Sequence, residues 1–512
     1  MKLFLSLLLI LSGNFAAQDT TKSLAHKINK PEIKYPLVKT VGRSYPLISG
    51  FALIKEANNG DPLAEHELGI RYLLGLGFQA DTTKAIFWIN KAAEKKLATA
   101  KYNLGIFALK GIGLDWNPFF AFKQFKETAE TGFPPGQLAY GLSFIHDLVV
   151  NRNLDECYTW VKKSADGNFE PAKRILKNLL ESGYTPPDSN LANITKKNDI
   201  LSEDASAFNM DWNVDFIDFD SDTTTESTKS RVEKLFDLDK SEIKEVLLIS
   251  NLEDSSSIKD TSKFGLINYA ADVGGPEALM MRGIAYENGV FYKKNVVKAL
   301  LNYLIAVRNG SGRAGLLIYE LLQDENTMKV IESKANSGDS DAKYVWAGLI
   351  AFGYDYSILL DDALNLLEEA AGKGHIPSLI ELGVLYYKGE VVPQDRALAY
   401  EYWEKADSLG SLEAGVRIAI TRIFNKDFNS ETLPEYISKI REARAKGVII
   451  AETALGYCYE NGIGVNIDKA HASDLYWNAT SKGNEAGYIS LKRMYDELRP
   501  QDEKFIIYDK NN

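Results

Sequence analysis

The feature that most restricts this chain is a period of 36 residues. Ala64, Ala100 and Gly136 stand 36 apart, and Gly69, Gly105 and Gly141 keep that interval five residues later. Leu68, Leu104 and Tyr140 precede them, and Ala85, Ala121 and Cys157 form a further column. The interval returns from Ala278 to Ala314, from Ala342 to Ser378 and from Ser378 to Ala414, with Gly283, Gly383 and Gly456 refilling the glycine column. Two steps deviate: Ala314 to Ala342 is 28 and Ala414 to Ala451 is 37. A period of this size is the mark of stacked supersecondary units, each too small to bury an apolar face alone.

Each unit reads as two helices. Taking the first alanine of a unit as position 0, small or apolar residues fall at 0, +4, +5 and +8, within about 140° of arc on a helix. A glycine inside a helix costs about 1 kcal/mol against alanine. Its return at one position therefore predicts a second helix packed close against the backbone. A glycine-rich turn follows, as in Gly75-Leu76-Gly77, and then a second helix such as 84–95, with Ala85, Trp88, Ala92 and Ala93 inward. Inter-unit turns carry Gly132, Gly310, Gly338, Gly374, Gly410, Gly447 and Gly483.

Ala64, Leu68, Gly69, Tyr72, Gly75, Gly77, Lys84, Ala85, Trp88, Lys91, Ala92 and Ala93 together resemble the Sel-one-like repeat family, a branch of the tetratricopeptide-type helix pairs. Ala451, Leu455, Gly456, Tyr459, Gly462, Gly464, Lys469 and Ala470 resemble it again. The resemblance covers roughly 46–498 and implies an all-α fold, a right-handed α-solenoid of about ten helix-pair repeats with one acidic insertion. The units from Ala314 and Ala414 depart most from the pattern.

The insertion is 184–262. It holds 18 acidic against 8 basic residues and so accounts for −10 of the net charge of −11. Counting the register from Ala172 places it between the two helices of the fourth unit, which predicts one continuous array. Arg231–Phe236 and Ser241–Ile249 read as short helices, the latter with Ser241 as its cap. Trp212, Val214 and Phe216 alternate with polar residues in a strand-like pattern, a candidate docking strip set against the reading of a flexible acidic loop.

At the start, Lys2, the apolar run Leu3–Leu11 and the small residues Ala16 and Ala17 describe a secretory leader too short to span a bilayer, which needs about 20 residues. The expected organisation is a leader over 1–17, an extension over 18–45, repeats over 46–183, the insertion over 184–262, repeats over 263–498 and a tail over 499–512. An exported protein, periplasmic or secreted and not membrane-spanning, is expected.

Chemistry is sparse. The acidic balance argues against nucleic acid. Two cysteines, Cys157 and Cys458, cannot make a disulfide framework and read as buried thiols. Asp218, Asp220 and Asp222 open like a calcium loop, but Thr223 and Lys229 stand where glycine and glutamate are needed. Gly310-Ser311-Gly312-Arg313-Ala314-Gly315 spells a dinucleotide motif yet follows a helix rather than a strand, so it reads as a turn. His66, His146, His375 and His471 are isolated from other metal-type ligands. No catalytic residue, metal or cofactor is expected. Asn193, Asn309 and Asn478 open glycosylation sequons.

Recognition by such arrays uses the curved inner surface. Positions +3, +7 and +10 of the first helix are the candidates for a polar groove: Glu67, Arg71, Asn103, Lys110, Ser143, His146, Asn288, Glu381, Lys388, Arg417 and Asn461. Their mixed signs suit a polypeptide. The expected function is an exported scaffold or adaptor that binds protein. The resemblance also implies two alternatives: a carbohydrate-binding or exopolysaccharide-assembly scaffold, and a hydrolase such as a β-lactam-active enzyme, whose repeats carry disulfides this chain lacks.

Overall fold

The computed structural model describes residues 50–181, 258–351, 355, 357–389 and 392–507, with isolated positions Tyr184, Pro186, Phe236, Ile243, Lys244 and Leu247. The leader, Asn193 and the strip of Trp212, Val214 and Phe216 lie outside them. The described residues are helical throughout, apart from one isolated bridge between Asp147 and Val150. The chain divides into two compact units, one built on the described residues of 18–216 with those of 492–512, the other on the described residues of 217–491.

In the first unit α1 (Gly50–Asn58) precedes the pairs α2 (Pro62–Leu74) and α3 (Thr82–Glu94), α4 (Ala98–Lys110) and α5 (Pro118–Glu130), α6 (Pro134–Leu142) and α7 (Leu154–Asp166), followed by α8 (Glu170–Glu181). The second unit opens on α9 (Lys263–Asp272). Its pairs are α10 (Pro276–Asn288) and α11 (Val296–Arg308), α12 (Gly312–Leu322) and α13 (Glu325–Asn336), α14 (Ser340–Ala351) and α15 (Leu360–Gly372). Then come α16 (Ile376–Lys388) and α17 (Arg396–Ser408), α18 (Leu412–Phe424) and α19 (Thr432–Ala445), α20 (Ile449–Asn461) and α21 (Lys469–Ser481). The division of the units falls within α22 (Glu485–Leu498). Helix pairs stacked in sequence make this an α-solenoid, as the period predicts.

One column organises each regular pair. At position +17 stand Asp81, Asn117, Asn153, Asn295, Asp395 and Asp468, and each caps the second helix by accepting a backbone N–H with its side chain. The backbone N–H of each also donates to the carbonyl at +8, at 2.9 Å in all six. A short polar side chain with extended backbone is what an N-cap requires. Where glycine stands at +11, at Gly75, Gly111, Gly289, Gly389 and Gly462, the first helix ends in a left-handed residue, which glycine adopts without steric cost.

The glycine column has the reason the period implied. A methyl group on Gly69, Gly105, Gly141, Gly283, Gly383 or Gly456 would lie within 3.0 Å of the partner helix, against Ile89, Phe125, Trp160, Tyr303, Trp403 and Tyr476. At Gly105, Gly283, Gly383 and Gly456 a large buried ring thus sits on bare backbone. Successive turns are also tied: Lys95 Nζ donates to the Gly60 carbonyl at 2.7 Å, Asn309 Nδ2 to Gly274 at 2.8 Å and Lys373 Nζ to Gly338 at 2.7 Å, each 35 positions back.

The helices α8 and α9, read as one unit with the insertion between them, fall in different compact units. Part of the insertion joins the second unit's core: Ile243, in a helical position, is fully buried in the cluster that holds Leu266, with Phe236 and Leu247 packed against it. The unit from Ala314 differs because α13 begins after a two-residue turn, so position +5, Tyr319, faces solvent.

Within the second unit the array returns on itself. Asn484 Nδ2 donates to the Asn309 carbonyl at 2.7 Å and the Tyr269 hydroxyl to the Lys446 carbonyl at 2.8 Å. Val273 packs against the core formed by α18 to α21.

Candidate functional site

The first helices of the pairs carry the residues expected to line a groove, and the structure sorts them by depth. Asn288 and Asn461 are exposed, and Asn461 Nδ2 donates to the Tyr457 carbonyl of its own helix at 2.9 Å. Glu67, Lys110, Ser143, His146 and Lys388 are half-buried. Ser143 turns its hydroxyl to the Ala139 carbonyl at 3.1 Å. Burial, with Arg152 adding to it against Asp147, pushes the His146 pKa down to about 4.

Arg71, Asn103, Glu381 and Arg417 are corrections, because all four are buried rather than solvated. Arg71 pairs with Glu67 one turn back at 2.9 Å. Asn103 Nδ2 meets His66 Nε2 at 2.9 Å, joining α4 to α2. Burial pushes the His66 pKa down to about 4, so the ring is neutral and Nε2 accepts.

Glu381 and Arg417 come together with residues that the period did not single out. Arg308, buried in the last turn of α11, reaches three first helices. Its Nη1 donates to the Tyr344 hydroxyl at 3.2 Å and the Pro377 carbonyl at 3.5 Å, and its Nη2 to Glu413 Oε2 at 3.1 Å, while Glu381 Oε2 lies 3.9 Å off. Arg417 Nε donates to Glu413 Oε1 at 2.9 Å. Burial opposes the charges of Arg308, Glu381 and Glu413. It raises the Glu381 pKa, but at Glu413 the two arginines outweigh it and hold the carboxylate below its usual range. The Arg308 guanidinium is held up by Glu413, Tyr344 and Glu381 against its own burial. These charges bind helices rather than a ligand. Arg308 has no periodic signature, because its partners lie up to 105 positions away.

A second line of groups has the composition of a hydrolytic triad. His375 Nδ1 meets Ser378 Oγ at 2.8 Å and His375 Nε2 meets Asp341 Oδ1 at 3.1 Å, with Lys298 on the other Asp341 oxygen at 2.5 Å. Ser378 occupies the alanine column and is fully buried. A nucleophile needs access to its substrate, so the line is a clasp between α14 and α16. Among the described residues no three metal-type ligands cluster. Cys157 and Cys458 are separate buried thiols, each pushed up to about 12 by burial. Asn309 of the second sequon is buried and spent on the inter-turn bond, whereas Asn478 is exposed.

The first unit carries a different kind of contact. The last turn of α22 and the residues that follow it lie along α5 and the loop 143–153. Arg499 Nη2 donates to the Leu148 carbonyl at 2.7 Å and Nη1 to Val149 at 3.2 Å, with the guanidinium 5.3 Å from the Phe119 ring centre. Tyr495 meets Trp116 edge-on at 5.2 Å, Phe505 meets Phe119 at 5.1 Å, and Asn151 Nδ2 donates to the Ile506 carbonyl at 2.6 Å.

Comparison with known proteins agrees with the architecture. The Sel1 repeat model matches 62–97, 98–130, 134–169, 276–311, 376–411 and 449–476. The first five intervals each cover one of the regular helix pairs and the sixth covers α20 and most of α21. The chain is 28% identical over 175 residues to the chitin synthase regulator SKT5 of Saccharomyces cerevisiae, covering 33% of this chain and 24% of that one. It is 34% identical over 122 residues to the alginate biosynthesis protein AlgK of Azotobacter vinelandii, covering 24% and 26%. The chain thus spans about a quarter of the length of these relatives. A solved protective antigen of uropathogenic Escherichia coli with an SLR fold aligns over 90% of this chain and 85% of its own, at 20% identity and a TM-score of 0.31. Among the described residues no helix is long and apolar enough to cross a membrane. Six of the helix pairs match the family's repeat in register, so the chain carries six Sel1 repeats.

Proposed function

We propose that this chain is an exported scaffold that binds a polypeptide partner in a cell envelope or outside the cell. One observation carries the interaction reading. The surface of α5 and the loop 143–153 holds the stretch 499–506, which contains a 3-10 turn at Glu503–Phe505, through backbone carbonyls and aromatic rings. Repeat arrays present such surfaces as their working face. Export rests on Lys2, the run Leu3–Leu11 and the small residues that follow.

The two relatives, a chitin synthase regulator and an alginate biosynthesis protein, support a second reading, a scaffold within polysaccharide synthesis. Direct sugar binding has less support, because sugars stack on open aromatic faces. Among the described residues Tyr319 is the one highly exposed tyrosine, and no tryptophan is highly exposed.

Native co-purification from the exported fraction tests the proposal, comparing the full chain with one lacking 187–230. Recovery of a protein partner is expected. A partner that disappears with 187–230 assigns recognition to that stretch, and one retained assigns it to the helical units. Recovery of no protein, together with tight glycan binding, would overturn the reading.

A further inference from the structure

The segment 495–506 is held in the way a bound peptide is held. Three side chains anchor it. Tyr495 and Phe505 press edge-on against Trp116, Phe119 and Phe122, and the Arg499 fork spans two successive carbonyls. Between the last two anchors, Gln501 to Lys504 are exposed. Aromatic and arginine anchors surrounded by weak contacts are the usual energetic pattern of a recognition surface.

The receptor exists because the third repeat breaks the register. Its +11 and +13 positions hold Asp147 and Val149 where its neighbours have Gly75 and Gly77 or Gly111 and Gly113. Aspartate and valine resist the left-handed backbone those glycines adopt. The helix α6 therefore stops at Leu142, four residues short of its neighbours' length. Asp147 instead takes the Arg152 N–H on its carboxylate at 2.6 Å. The resulting loop presents the Leu148 and Val149 carbonyls outward beside the Phe119 ring.

We propose that this surface is a peptide-docking site, filled in cis by residues 495–506. The partner it takes in trans is a polypeptide segment of the same local form: a helix end bearing an aromatic residue, an arginine four positions later and a second aromatic residue six positions beyond that in a 3-10 turn, as at Tyr495, Arg499 and Phe505. The proposal deepens the scaffold reading and rests on it. Tethering gives the resident segment an effective concentration on the order of millimolar, so it acts as a gate that a better-matched segment displaces. Without it Trp116, Phe119 and Phe122 form an open apolar patch flanked by two carbonyls that require a donor.

The test uses the full chain with Arg499→Ala and Phe505→Ala, and a labelled synthetic peptide of residues 493–507. Fluorescence anisotropy is expected to show saturable binding to the double variant, and at least about tenfold weaker binding to the unaltered chain because its own segment competes. A peptide with Phe505→Ala is expected to bind the double variant at least about tenfold more weakly than the parent peptide. Equal binding to both chains, or no binding to a folded double variant, overturns the proposal. Should the double variant fail to fold, hydrogen exchange on the unaltered chain decides. Amides of 499–507 that open well before those of α5 support an exchangeable segment, and opening only together with α5 refutes it. A partner still recovered in co-purification after a failed peptide test leaves the scaffold reading standing while this proposal falls.

Discussion

Arg308 Nη2 stands 3.1 Å from Glu413 Oε2, across 105 positions of sequence, and both side chains are largely withdrawn from solvent. The contact joins the end of α11 to the start of α18 and closes the inner side of the second unit around a network of two arginines and two glutamates. Removing Arg308 takes the ion-pair partner from buried Glu381 and leaves Glu413 with Arg417 alone; breaking a buried network by removing one member costs about 3–5 kcal/mol. Arg308→Met is therefore expected to lower the stability of the second unit by that amount. Urea unfolding followed by tryptophan fluorescence measures it, and a loss below about 1 kcal/mol would show that the network contributes little.

The glycine column makes a sharper contrast. Gly383→Ala gains about 1 kcal/mol of helix propensity. It also drives a methyl into the Trp403 ring, which cannot retreat because its Nε1 is bonded to the Ile380 carbonyl at 3.1 Å. Overpacking of this kind costs about 1–3 kcal/mol, so the net effect is a lowered Tm. Gly372→Ala, at a helical position with nothing within 4 Å, is expected to leave the Tm unchanged or raise it. Calorimetry of the two variants checks the opposite signs.

His66 gives the first unit a pH dependence. Its folded pKa of about 4 lies below the ordinary value of 6.5. The unfolded chain therefore binds the proton first, and stability falls as pH drops through 6.5 toward 4. Between pH 7 and pH 5 the loss from this one group is about 2 kcal/mol. Its physical cause is burial, reinforced because a protonated Nε2 would face the Asn103 amide donor. His66→Gln is expected to flatten the slope of stability against pH over that range, read from urea midpoints at several pH values.

The +17 caps are individually modest. Asp468→Ala removes the acceptor for the His471 N–H, a bond of 2.8 Å, and is expected to cost about 1 kcal/mol. Asp468→Asn keeps the acceptor and is expected to cost less than half of that. Thermal unfolding followed by circular dichroism distinguishes the two.

Much of the fold was legible before any coordinates. The glycine column implied close helix contact, and a methyl at Gly283 or Gly383 would indeed strike Tyr303 or Trp403. The +17 column of Asp and Asn is equally visible in the sequence and explains where each second helix begins, although it carries no apolar periodicity. The groove was read less well. Positions +3, +7 and +10 were placed on one solvated side by helical angle alone, but Asn103, Glu381 and Arg417 are covered by neighbouring repeats.

The sequence by itself determined the helix pairs, their register and their turns, because these depend on interactions within about 36 residues, where spacing is informative. Only the tertiary structure decided that Arg308 meets Glu413 and that Arg499 lies on the loop of the third repeat. Those outcomes depend on small rotations between repeats that add up along the array. No spacing rule carries that sum, so residues 105 or 351 positions apart meet where the local pattern has nothing to say.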